Sequence, residues 1–166
     1  MNQISVLAKI SPLADIELSV RGSSVTIGDH VTIDSFVKIK FAGGDGDVHV
    51  ADHAYLNSGV VIYSGHGVSI GRGTLIAANT TLAPTNHEYR RSDLTIIEQR
   101  FMPSKGGIVI EDDCWIGANC VLLDGCRLGR GCVVAAGTVL RGEWPEYAVI
   151  AGNPAAVIRY RTDDAY

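Results

Sequence analysis

His87, in the segment LAPTNHEY (82–89), is the residue of this sequence best suited to acid–base chemistry. An imidazole titrates near neutral pH, so it can take a proton from a hydroxyl group and later return one to a leaving group. Of the four other histidines, only His66 shares with His87 a position in a break of the repeat described below. We predict that His87 is a general base and that His66 and Asn86 contact its substrate.

Metal and thiol chemistry receive little support from the other candidate residues. A catalytic zinc site needs three nitrogen or sulfur ligands around an open position, and the sequence contains no H-x-x-x-x-H pair. The four cysteines recur every six residues at one position of the repeat, at 114, 120, 126 and 132. We interpret them as small apolar fillers, and we predict no metal site.

A six-residue repeat must position these side chains. A period of six fits neither an amphipathic helix nor a simple alternating strand, and it is typical of a parallel β-helix. We predict an all-β fold in a single domain, residues 1–166, with five triangular coils over residues 25–140. Residues 1–24 and 141–166 are expected to cap the two ends, the latter as a short tail. The large aliphatic residues that define the fifteen hexads are Ile27, Ile33, Ile39, Val50, Leu56, Ile62, Ile70, Ile76, Leu82, Ile110, Ile116, Leu122, Leu128, Val134 and Leu140.

Three insertions interrupt the repeat, at residues 41–47, 63–69 and 83–109. Each follows the third strand of a coil, so all three are expected to leave the prism at one edge. Loops carry much of the function of a protein, and a solenoid often collects its insertions on its binding face. The longest insertion contains His87, which predicts a site on this edge.

Composition and charge restrict the class of protein. The chain has 14 Lys and Arg residues against 18 Asp and Glu residues, a net charge of −4, so no basic field attracts a phosphate backbone and we predict no nucleic-acid partner. Its apolar runs are far shorter than the ~18 residues of a membrane span, and the first residues lack the pattern of a signal peptide. We expect a soluble, cytoplasmic protein without a transmembrane segment.

The chain resembles the hexapeptide-repeat acyltransferases, particularly the branch that O-acetylates sugars such as galactosides, maltose, and capsular or colanic-acid units. The segments that carry this resemblance are LAPTNHEY (82–89), IIEQ (96–99), residues 108–140 and AVIAGNPAAVIR (148–159). The resemblance implies a left-handed β-helix with one long protruding loop, a homotrimer, acetyl-CoA as the donor, and an active site between neighbouring subunits.

The same resemblance assigns roles to single residues. It implies that His87 is the catalytic base, that Asn57 contacts the acceptor sugar, and that the backbone at Ala118 and Ala136 runs along the pantetheine arm. A basic residue near the phosphates of the coenzyme is matched by Arg159. The sequence departs from the family pattern at Gly65, Gly142 and Ala156, where relatives often carry charge; Arg141 and Arg161 are candidates to replace the missing cations.

Three functions follow from this sequence. The first is acetyl-CoA-dependent transfer of acetyl to a sugar hydroxyl in the biosynthesis of surface polysaccharide or glycan. The second changes the acceptor to the amine of a nucleotide-linked amino sugar. The third is a β-helix without activity that serves as a scaffold, which the NHEY segment and the coenzyme-type tail disfavour. The first is the predicted function.

Overall fold

The computed structural model describes residues 2–161, and Met1 and residues 162–166 of the predicted tail lie outside the described residues. Short strands, each followed by a corner, wind around a triangular prism. The first three coils consist of β1 (Gln3–Ile4), β2 (Lys9–Ile10) and β3 (Asp15–Ile16); β4 (Val25–Ile27), β5 (Thr32–Ile33) and β6 (Lys38–Lys40); and β7 (Val48–Val50), β8 (Tyr55–Leu56) and β9 (Val61–Tyr63).

The chain then forms three more coils and a terminal hairpin. The fourth coil consists of β10 (Val68–Ile70), β11 (Leu75–Ile76) and β12 (Thr81–Ala83), and a loop with the short helix α1 (Ile96–Gln99) follows it. The fifth and sixth coils consist of β13 (Ile108–Ile110), β14 (Trp115–Ile116) and β15 (Val121–Leu123), and of β16 (Arg127–Leu128), β17 (Val133–Val134) and β18 (Val139–Leu140). One more strand, β19 (Glu143–Trp144), precedes the hairpin of β20 (Ala148–Gly152) and β21 (Ala155–Tyr160).

Every third strand joins the same sheet, which makes three sheets of parallel strands. Sheet A has the order β1-β4-β7-β10-β13-β16-β19, sheet B has β2-β5-β8-β11-β14-β17-β20-β21, and sheet C has β3-β6-β9-β12-β15-β18. The single antiparallel strand pair among the described residues is β20 with β21, which closes the end of sheet B. This arrangement confirms the parallel β-helix that the six-residue period predicted.

The core is a set of aliphatic columns inside the prism. In sheet B, for example, Ile33, Leu56, Ile76, Ile116 and Val134 lie in register in successive strands, and each is at most 1 % exposed. Their neighbours along each strand point outward, because successive residues of a strand face opposite sides. All fifteen aliphatic residues that define the hexads are buried. The hexad pattern therefore correctly predicted which face of each strand is internal.

The number of coils is six rather than the predicted five. Ile4, Ile10 and Ile16 pair in register with the corresponding residues of the next coil, so the segment predicted as a cap closes the prism by forming a coil itself. Ile4, Ile10 and Ile16 keep the six-residue period, and the segment between Ile16 and Ile27 is a further interruption after the third strand of a coil. Ile4 is 45 % exposed because no further coil covers it within the described residues.

The cysteines lie inside the prism, as the repeat position predicted. All four are free and buried. Burial raises the pKa of the Cys126 thiol to about 12, and burial also raises the pKa of Cys120. These two thiols are therefore neutral at physiological pH, which agrees with their interpretation as fillers rather than nucleophiles.

Candidate active site

All three insertions lie at one corner of the prism, where the chain passes from sheet C to sheet A. They follow β6, β9 and β12, as the sequence predicted. We call this the C–A corner, and it comprises residues 41–47, 64–67 and 84–107. The loops stack one above another along the prism axis, so the longest loop rests on the two shorter ones.

Backbone hydrogen bonds join the stacked loops closely. Gly46 N donates to Gly65 O at 2.9 Å, and His66 N donates to Pro84 O at 3.4 Å. The packing leaves no room for a side chain at Gly46, where a Cβ atom would lie 2.0 Å from Gly67 N. The return of the long loop is held by the buried Asp124, whose carboxylate accepts from Lys105 N and Gly107 N at 2.8 and 2.9 Å. Both ends of the long loop are thus held firmly against the prism.

His87 lies at the start of the long loop with an exposed side chain. A short antiparallel bridge pairs His87 with Phe101 on the returning part of the loop, and the two rings are 4.7 Å apart between centroids. The ring atom Nδ1 is 3.2 Å from the carbonyl oxygen of Arg100. A carbonyl can only accept, so Nδ1 carries the proton in this pair and Nε2 of the neutral ring is left with a free lone pair. That is the form a general base requires.

The flanking residues do not orient this ring through their side chains. Asn86 contributes its backbone carbonyl, which accepts from Met102 N at 2.9 Å. The Glu88 carboxylate turns into its own loop, where it bonds the backbone of Tyr89 and Arg90 and the Arg90 guanidinium. The Arg90 side chain, more than the backbone donors, lowers the pKa of Glu88 to about 2. The true partner of the ring, the carbonyl of Arg100, had no signal in the sequence.

His66 lies at the same corner, half-buried among the stacked loops. Its Nδ1 atom packs close to Gly44, where a Cβ atom would be 3.2 Å away, and its Nε2 atom is buried without a hydrogen-bond partner among the described residues. The structure thus brings His66, Asn86 and His87 to one corner. Contact of His66 and Asn86 with a substrate stays a prediction.

Three other predicted site residues lie at a different corner, where the chain passes from sheet B to sheet C. Asn57, Ala118 and Ala136 each follow a strand of sheet B, namely β8, β14 and β17. Ala118 is half-buried and Ala136 is exposed, while the Asn57 Oδ1 atom accepts from Ser58 N at 2.7 Å. We call this the B–C corner. Within one chain it is separated from the C–A corner by the width of sheet C.

Two exposed apolar side chains flank the B–C corner on the outer face of sheet B. Trp115 is 55 % exposed and Leu75 is 45 % exposed, and they are neighbours in register. The repeat already placed both residues outward, since each immediately precedes a buried aliphatic residue. Neither residue is among the predicted site residues, because an outward position in the repeat does not show whether a side chain lies beside a binding site.

The predicted basic residues are divided between two sides of the prism. Arg141 follows β18 of sheet C and, with Trp144 and Pro154, lines a cleft of about 300 Å³. By contrast, Arg159 is exposed on β21 at the end of sheet B. The Arg161 Nη1 atom donates to Gly131 O at 2.9 Å and pairs with Asp113 at 3.2 Å. Replacement of a missing cation by Arg161 stays a prediction.

Residues 2–161 provide neither a metal site nor a membrane-spanning helix. In this range, no group of three or more His, Cys, Asp or Glu side chains is placed to hold a metal ion. Nor does any helix of the described chain have the length and apolar character to cross a bilayer.

Comparison with known proteins defines the class. Residues 107–142 match the family described as bacterial transferase hexapeptide (six repeats). The chain is 35 % identical over 144 residues to a putative lipopolysaccharide biosynthesis O-acetyl transferase, WbbJ, of Escherichia coli (strain K12), covering 83 % of this chain and 69 % of that protein. It is 28 % identical over 151 residues to the galactoside O-acetyltransferase of the same organism, covering 89 % and 69 %.

Solved structures agree with this class. A hexapeptide-repeat acetyltransferase of Vibrio cholerae, complexed with acetyl coenzyme A, is 25 % identical with a TM-score of 0.54, covering 98 % of this chain and 71 % of the other. The Bacillus cereus N-acyltransferase AntD, in complex with dTDP and 3-hydroxybutyryl-CoA, shares the fold with a TM-score of 0.80 at 17 % identity, covering 96 % and 83 %.

The fold is that of a transferase built on a left-handed parallel β-helix. The chain belongs to the hexapeptide-repeat acyltransferase family. It is an enzyme of acyl transfer. The resemblance found in the sequence is confirmed.

Proposed function

We propose that this enzyme transfers acetyl from acetyl-CoA to a sugar hydroxyl in the biosynthesis of surface polysaccharide or glycan, with His87 as general base. The observation that carries the proposal is the exposed His87 ring, whose Nδ1 is engaged by Arg100 O and whose Nε2 is free. The names of the two Escherichia coli relatives, both O-acetyltransferases, support a sugar hydroxyl as the acceptor.

His87 supplies the proton transfers of the reaction. Its Nε2 atom takes the proton of the acceptor hydroxyl while that oxygen forms a bond to the acetyl carbonyl carbon. The C–S bond of the thioester then breaks, and the imidazolium returns the proton to the departing sulfur. The products are an acetyl ester and the free thiol of the coenzyme, so no covalent bond to the enzyme is needed. The Arg100 carbonyl holds the ring throughout and stabilises the Nδ1–H of the imidazolium.

A homotrimer accounts for the separation of the two corners. Sheet C lies between them, so three copies that turn sheet C toward a common axis place the C–A corner of one chain against the B–C corner of the next. The outer face of sheet C suits such packing, because Val61, Thr81, Val121 and Val139 form a half-buried row of small and branched side chains. Sheet A instead presents exposed polar residues such as His49, Arg127 and Glu143.

The B–C corner fits the extended arm of a coenzyme. Ala118 and Ala136 lie on successive coils and have no side chain beyond Cβ, so a pantetheine chain can run close to their backbone. We propose that Arg141 and Arg159 contribute positive charge for the phosphates, and that Asn57 contacts the acceptor. We also propose that the enzyme works in the cytoplasm, since its buried free cysteines are typical of a reducing compartment.

Release of free thiol from acetyl-CoA with a panel of sugars tests the proposed reaction. The panel contains neutral sugars, nucleotide sugars and nucleotide-linked amino sugars. We expect release with a hydroxyl acceptor and a product ester that dilute hydroxylamine cleaves. Release with amino sugars alone, giving a hydroxylamine-resistant amide, would show that the acceptor atom is nitrogen. Coenzyme binding without release for any acceptor would contradict the choice of acceptor class.

Mixing two inactive variants tests whether one site uses two chains. His87→Ala removes the base, and Ala136→Trp blocks the B–C corner of the same chain. When the two proteins are unfolded, mixed and refolded together, random assembly restores about one quarter of the sites, because an intact C–A corner then faces an intact B–C corner. The control is refolding of each variant alone, which stays inactive. Failure of the mixture to regain activity, with a trimer mass confirmed by sedimentation, would place both corners' functions within one chain.

A further inference from the structure

One glutamine side chain bridges two parts of the long loop, just before the chain returns to pair with His87. Gln99, the last residue of α1, bonds both backbone groups of Arg91: its Oε1 atom accepts from Arg91 N at 2.9 Å, and its Nε2 atom donates to Arg91 O at 2.8 Å. The same Nε2 atom lies 3.2 Å from Leu94 O. Both polar atoms of the amide therefore hold the loop backbone.

Arg100, the next residue, has a backbone conformation that ordinary residues rarely adopt. Its φ is 65° and its ψ is −135°, a region that is almost restricted to glycine. This conformation directs its carbonyl oxygen to two donors, His87 Nδ1 at 3.2 Å and Glu88 N at 3.0 Å. Such a conformation persists only where the surrounding structure holds it, and here the Gln99 side chain provides the adjacent restraint.

We propose that Gln99 is a positioning residue for acetyl transfer. It does not touch the reacting atoms; it holds the loop so that Arg100 O fixes the orientation and tautomer of the His87 ring. The inference rests on the proposed role of His87. The flanking capping box has a separate role, because the Thr95 and Glu98 side chains bond each other and the Thr95 backbone at the start of α1.

The variant Gln99→Glu tests this directly, because it keeps the size and shape of the side chain. A carboxylate can still accept from Arg91 N, but it has no hydrogen to donate to Arg91 O or Leu94 O. We expect the loop to open at this point, with kcat lowered by about 10-fold and KM for acetyl-CoA within about 2-fold, since only the proton transfer is impaired. Gln3→Glu, on the exposed strand β1, is the control of equal charge.

A spectroscopic measurement separates positioning from catalysis. In the folded wild-type protein, the ¹⁵N resonances of the His87 imidazole are expected to report a ring protonated at Nδ1; in Gln99→Glu they are expected to report a mixture of tautomers. Arg100→Val should give the same mixture, because a β-branched residue resists positive φ. An unchanged tautomer and unchanged kcat in Gln99→Glu would overturn the inference. Full activity of His87→Ala would instead refute the proposed function, whatever the tautomer result.

Discussion

The variant His87→Ala is expected to lose about 10³-fold in kcat/KM for acetyl transfer, equivalent to about 4 kcal/mol of transition-state stabilisation. The reason is geometric as well as chemical. The Arg100 carbonyl leaves Nε2 as the free nitrogen of the ring, positioned to take the proton. The neighbouring Glu88 is a poor substitute, because its carboxylate is held by Arg90 and its pKa is about 2.

Initial rates of thiol release with the acceptor found in the panel measure this loss. His49→Ala, an exposed histidine on the outer face of sheet A, is the matched control and should keep the wild-type rate. Added imidazole should restore part of the activity of His87→Ala, since the deletion leaves a space of the right size. A His87→Ala enzyme with the wild-type rate, at equal melting temperature, would exclude His87 as the base.

The variant Gly46→Ala is expected to destabilise the fold by about 3 kcal/mol, because overpacking against rigid backbone has a cost of this order. Its Cβ atom would lie 2.0 Å from Gly67 N and 2.5 Å from the carbonyl carbon of His66. Both contacts are with backbone, so no rotation of a side chain can relieve them. The stacked loops at the C–A corner would have to separate, and the melting temperature should fall by roughly 6–12 °C.

The control for this variant is Gly137→Asn at a corner of the last complete coil. Gly137 has a φ of 73°, and a Cβ atom there would meet nothing within 4 Å. Asn79 and Asn119 already occupy the equivalent position of other hexads, with φ of 58° and 57°. We expect a change within about 1 kcal/mol, since asparagine tolerates this conformation. Differential scanning calorimetry compares the two variants, and equal melting temperatures would show that the loops are not rigidly stacked.

The repeat in the sequence was informative because burial in a β-helix is periodic. One aliphatic residue in six must face the interior, and the small residue four positions later must fit inside the corner, so the pattern of residue types reports the fold directly. The first coil was not predicted, although Ile4, Ile10 and Ile16 also recur every six residues. The strand pairing with the next coil shows that this segment is a coil rather than a separate cap.

The site was predictable only in part. A histidine in an insertion at the C–A corner follows from motif and register, and the structure places His87 there. The hydrogen-bond partner of its ring could not be predicted, because every residue has a backbone carbonyl and residue type does not show which one is used. Arg100 also has a positive φ, which arginine rarely adopts. Arg161 is a second example: its charge suggested a ligand contact, and only the tertiary structure shows that its Nη1 atom bonds Gly131 and Asp113.

The sequence by itself determined the parallel β-helix, the single corner that carries the insertions, and the histidine suited to proton transfer. These properties depend on residue type and spacing along the chain. Only the tertiary structure decided that Gln99 braces Arg91, that the Arg100 carbonyl selects the Nε2 atom of His87 as the free nitrogen, and that the B–C corner lies across sheet C from the base. Those properties depend on backbone direction and on contacts between distant residues, which composition and periodicity do not specify.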